Sequence, residues 1–146
     1  MRTKFRAYDG SSLSRMYQLD EVMVGGGNIW IIDEDSVAGD WIVNNDLELM
    51  QSTGVLDKNS QEIFEGDILE IQGIRMVVKF GSYEYIESSK SNGYTLGVVY
   101  DGLGFYVECI NAADPDRISP FEPKTLKESA IIGNRFENPE LLEGKE

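Results

Sequence analysis

The chain has 146 residues, 41% hydrophobic and 27% charged, which suits one compact domain or two small ones and excludes disorder and coiled coil. With 26 acidic and 13 basic residues the net charge is −13, which argues against a protein built mainly to hold a phosphate backbone. No apolar run is long enough to span a bilayer, and mixed polar sequence rather than an apolar leader follows Met1, so a cytoplasmic protein is expected.

In chain order, Lys4 to Tyr8 reads as a short strand closed by a tight turn at Asp9-Gly10, with a return strand from Arg15 to Leu19. Val22 to Val24 and Ile29 to Ile32 flank Gly25-Gly26-Gly27-Asn28, a second hairpin with a loose glycine-rich tip. A phosphate loop would need a following helix and a Lys, and neither is present there. Asp33-Glu34-Asp35 and Asp40 form an acidic, solvated connector that lacks the twelve-position calcium-loop pattern, and Trp41-Ile42-Val43 follows it.

Leu47 and Leu49 then alternate, and Thr53-Gly54 bends the chain. Ile68 to Ile71 and Ile74 to Phe80 predict a hairpin turning at Gln72-Gly73, with Gly81 ending the second strand. Tyr83 to Asn92 is polar and predicts an exposed excursion. Tyr94 to Tyr100 and Phe105 to Ile110 predict a hairpin around Asp101-Gly102-Leu103-Gly104. Asp114-Pro115, Ser119-Pro120 and Glu122-Pro123 predict an irregular loop, since proline lacks an amide donor. Ile131-Ile132 is a last short strand, and Asn138-Pro139-Glu140 offers a cap before one helical turn. No stretch sustains a 3.6-residue period. The pattern predicts an all-β chain, a small barrel or sandwich, divided softly into 1–52 and 53–146.

Three blocks carry a resemblance. They are Lys4-Phe5-Arg6-Ala7-Tyr8-Asp9, then Leu49 to Gly54 with Asp57-Lys58-Asn59 and Glu62 to Ile68, and finally Ile132-Gly133-Asn134-Arg135-Phe136-Glu137-Asn138-Pro139-Glu140-Leu141-Leu142. In this order they resemble the YopX-like family of small proteins encoded by temperate phages and prophages. The resemblance implies an all-β protein with N-terminal hairpins packed on a C-terminal SH3-like barrel. It supplies no established biochemical activity. The stretches 22–45 and 83–124 match no family motif.

The motif residues also read as turns and caps. Gly54, Gly66 and Gly133 suit turns or strand ends, Asp67 can bond back to nearby amides, and Asn138 with Pro139 suits a helix start. A catalytic Asp67 is the sharper alternative, and nothing in the sequence assembles a site around it. Histidine is missing altogether, which excludes His-dependent triads and His-ligated metals. Cys109, the one cysteine, lies in an apolar-alternating strand and reads as a small buried hydrophobe. No cofactor, metal or catalytic residue is expected, and the chain reads as a non-enzymatic module for protein binding or self-assembly.

One surface stands out by charge. Arg2, Lys4, Arg6 and Arg15 gather on the first hairpin beside Phe5, Tyr8 and Tyr17. This strip could act as the arm of a homo-oligomer or meet a host or phage protein. Nucleic-acid binding is the alternative, disfavoured by the net charge. No membrane partner is expected.

Overall fold

The computed structural model describes residues 4–11, 13–91, 94–111 and 118–143. The described residues are nearly all-β, with helical structure confined to single turns near Pro123 and Pro139. Purified protein should therefore give a far-ultraviolet dichroism spectrum of sheet type, and a helix-dominated spectrum would contradict the fold. The chain divides into two compact units, Met1–Ser52 and Thr53–Glu146.

In the first unit, β1 (Phe5–Asp9) pairs antiparallel with β2 (Arg15–Tyr17) and, on its other edge, with the start of β6 (Glu48–Leu56). The expected Asp9-Gly10 turn is corrected here. Gly10 is not in the left-handed region; Ser14 is, at φ 45°, and Asp9 instead accepts the Ser11 amide at 2.9 Å. A second sheet follows from β3 (Val22–Gly25), β4 (Asn28–Ile32) and β5 (Trp41–Val43). The glycine tip is tight rather than loose, with two residues, Gly26 and Gly27, between the paired Gly25 and Asn28. Ala7, Tyr17, Val22, Ile31 and Leu47 form the core of this unit. Full burial of each large apolar side chain contributes roughly 1.5–3 kcal/mol.

In the second unit the later part of β6 runs beside β7 (Glu62–Phe64), with Gly54 at φ 78° inside the strand. A five-stranded antiparallel sheet has the order β11 (Ile118–Pro120), β10 (Tyr94–Cys109), β9 (Ile74–Ser91), β8 (Asp67–Ile71), β12 (Ala130–Asn134). Ile63, Leu69, Val78, Val107 and Leu126 form its core.

Two expectations fail in β9 and β10. Gly81 does not end a strand, and Asp101 to Gly104 is not a turn. Both segments pass straight through, and the strands pair continuously from Met76–Cys109 to Ser91–Tyr94. The polar excursion and the short hairpin are therefore the two halves of one long ribbon. Alternation was legible on each strand, but the pairing is non-local, and glycine inside a strand looks like glycine at its end.

The proline-rich loop is corrected too. Ser119-Pro120 lies in the edge strand β11, and Pro123 opens the one-turn helix α1 (Pro123–Leu126); both positions tolerate a missing amide donor. Asp114-Pro115 lies outside the described residues.

Candidate functional site

The basic hairpin is largely used within its own unit. Arg6 and Tyr17 are buried. Arg15 donates to Glu21 at 2.9 Å, pairs with Glu34, and lies 4.3 Å above the Tyr17 ring centroid. Burial acts to lower the Arg15 pKa, but Glu34 and Glu21 outweigh it and hold the guanidinium above its ordinary value. Burial also raises the Tyr17 phenol. Lys4 is exposed, Phe5 and Tyr8 are half-buried, and Arg2 lies outside the described residues. The seven residues of the expected surface are thus not one open face.

Asp9 offers a pH signature. The Ser11 hydroxyl and amide hold its carboxyl below the ordinary value of 3.8. A depressed folded pKa contributes stability that is full above the unfolded value and is lost as pH falls through the folded one. Asp9→Asn is therefore expected to narrow the gap to the parent protein as thermal melts move from pH 6 towards about pH 3. A gap that stays constant with pH would contradict this.

The family-like blocks build turns. Gly66 sits at φ 89° between β7 and β8 and donates to the Val78 carbonyl at 2.8 Å. Beside it the buried Asp67 carboxylate accepts the Phe64 amide at 2.7 Å. Asp57 is also buried, and it accepts the amides of Asn59, Gln61 and Ile131 at 2.8–2.9 Å. The Asn138 cap is corrected. Asn138 stands at the start of the 3-10 turn Pro139–Leu142, but its side chain makes no cap bond there. It turns back to accept the Asn134 amide at 3.1 Å, and it covers Gly133, where a Cβ would come within 2.5 Å of Oδ1. Asn134 does the local bonding, accepting from Phe136 and Glu137 and donating to the Glu137 carboxylate. Asp57 and Asn134 escaped the sequence reading because a buried acceptor looks like any turn residue.

The long ribbon is the unassigned feature. Gly81 (φ 149°) and Gly104 (φ 136°) face each other across it. Beyond them no third strand pairs with it among the described residues. Ten residues of strand, 82–91, extend it by roughly 33 Å. Register partners share a face, so the ribbon has two distinct sides.

One side carries Tyr106, Tyr83, Tyr85 and Tyr100, with successive ring centroids 4.7, 5.9 and 5.4 Å apart. Tyr83 lies flat over its partner Gly102, where a Cβ would fall 2.3 Å from the ring. Only glycine permits that approach. Burial, then the Glu87 charge, raises the Tyr85 phenol pKa.

The opposite side continues the core stripe outward. Val78 and Val107 are buried, Phe80 and Phe105 meet edge-to-face at 4.9 Å, and then Leu103, Ile86 and Val99 follow in the open. Leu103 is 81% and Val99 60% exposed. An isolated two-stranded ribbon is only marginally stable in water, and this one exposes apolar residues on both its sides.

Little else in the described residues gathers chemistry. Cys109 is half-buried rather than fully buried, beside Lys79, Glu108 and Arg135 in a shallow cavity of about 300 Å³. Among the described residues no three His, Cys, Asp or Glu side chains converge on a metal-sized site. Among them, too, no helix is long and apolar enough to cross a membrane.

The chain is similar over 98% of its length to 99% of protein EF1440 from Enterococcus faecalis, known from a crystal structure, at 24% identity and a TM-score of 0.47. No curated protein matches it. The family model described as YopX protein matches residues 4–143, taking in all three blocks and the ribbon between them. With the match running nearly end to end, the chain belongs to the YopX protein family.

Proposed function

We propose that the chain is a non-enzymatic accessory protein, encoded by a phage or prophage and working in the bacterial cytoplasm by protein–protein association. In this reading the second unit is an SH3-like barrel that serves as the rigid base of the β9–β10 ribbon. The observation that carries the proposal is the core stripe that overruns its own core, from Phe80 and Phe105 out to Leu103, Ile86 and Val99. The carboxylates a catalytic reading would recruit, Asp57 and Asp67, are occupied by backbone amides, which supports a structural role for both.

In sequence, residues 82–103 carry three acids, Glu84, Glu87 and Asp101, against one cation, Lys90. Binding to random duplex DNA is accordingly expected to be weak or absent at physiological salt. Sub-micromolar binding with a steep salt dependence would instead favour a nucleic-acid role.

Excision tests the proposal. Replacing residues 82–103 by Asn-Gly rejoins Gly81 to Gly104 through a two-residue turn. The variant should melt close to the intact chain and lose its protein associations. A folded variant that keeps them would overturn the proposal.

A further inference from the structure

We propose that the apolar face of the ribbon docks into a groove on the N-terminal unit of a second copy of this chain, giving a head-to-tail contact. The inference rests on the ribbon being the working surface and names what covers it.

The groove is lined by Lys4, Phe5, Leu19, Met23, Val24 and Trp30 and encloses about 490 Å³. Taking about 150 Å³ for a cavity that holds a benzene, it accepts roughly three ring-sized groups. It lies beside a sheet face that is apolar apart from Asn28 at the turn end of β4, where the Asn28 side chain accepts from Asn45 at 2.9 Å. Met23, Trp30 and Val43 are register partners across β3, β4 and β5, and Ile32 and Trp41 extend the row. The alternate residues Val22 and Ile31 are buried in the core of the unit, which leaves this row on the outer face. Met23, Trp41 and Val43 are 36–47% exposed.

Charge matches the two surfaces. On the ribbon, Glu84 and Asp101 are directly opposed, both exposed, with Leu103 on one side of them and Ile86 and Val99 on the other. Like charges directly opposed weaken a strand pair, and a cation set between them reverses the effect. The groove offers that arrangement, a single exposed Lys4 in an apolar rim. An acidic occupant would add to the repulsion, and a wholly apolar one would leave two carboxylates dry.

Area points the same way. Phe80, Ile86, Val99 and Leu103 are 47, 41, 60 and 81% exposed. Their open surface is on the order of 450 Å², more than half of the roughly 800 Å² that one partner brings to a standard interface. In a head-to-tail assembly each copy makes the contact twice, once with its ribbon and once with its groove.

The contact is asymmetric, so it can be tested by complementation with Leu103→Glu, which breaks the ribbon, and Met23→Glu, which breaks the groove. Both side chains are exposed, and thermal melts of each variant confirm folding. Light scattering on the intact chain should give a mass rising above 16.4 kDa with concentration. Each variant alone should stay at 16.4 kDa, and an equal mixture should form a species of twice that mass, built from one intact ribbon and one intact groove. If Met23→Glu associates as the intact chain does while Leu103→Glu does not, the groove is refuted and the ribbon remains the working surface. An intact chain that stays monomeric at about 100 μM, well above ordinary weak-dimer constants, rules out a second copy as the occupant and leaves a different protein partner. Association that survives in both variants refutes the ribbon as well.

Discussion

Asp57→Ala is expected to destabilise the second unit by about 3 kcal/mol, the largest effect of any single substitution considered. The carboxylate is buried and receives three backbone amides, two from its own turn and one from Ile131, 74 residues away. Removing it leaves three donors without a partner, each costing about 1–3 kcal/mol where water cannot reach. Partial hydration of the turn amides keeps the total below the simple sum. Asp57→Asn retains one acceptor oxygen and should recover part of the loss. Urea unfolding of the three proteins checks the order, and an alanine variant within about 0.5 kcal/mol of the parent, the range of an ordinary surface change, would contradict it.

Gly66→Val comes next, at roughly 1–3 kcal/mol, the usual cost of a strained backbone conformation. The residue sits at φ 89°, which a β-branched side chain resists. The turn has no room to relax, because the Gly66 amide is bonded to Val78 and its carbonyl accepts from Arg135. Gly66→Ala should cost less than the valine. Equal and negligible effects from both would show that the turn tolerates ordinary side chains.

The sequence shows where its turns lie better than how far its strands run. Glu65-Gly66, Gly26-Gly27 and Gln72-Gly73 are legible because positive φ at a two-residue turn restricts the residue choice. The all-β class is legible for the same reason. The ribbon is not, because Gly81, Gly102 and Gly104 imitate turn signals. Gly102 is there to admit the Tyr83 ring, a cross-strand requirement that no local window contains.

The basic strip was visible as composition. Its residues turn out to serve different ends, with Arg6 buried and Arg15 held between Glu21 and Glu34. Among its described residues, Lys4 and Phe5 line the groove. Charge in a linear sequence does not say which partner has already been found within the fold.

The central claim is that the outer apolar face of the ribbon works by touching protein. A photo-activatable cross-linking residue in place of Val99, which is 60% exposed, tests it directly in cells that produce the chain. Irradiation is expected to yield a discrete protein–protein adduct, and Leu103→Glu in the same chain should abolish it. No adduct above that formed by the same cross-linker at the exposed Leu56, or an adduct to nucleic acid alone, would contradict the claim.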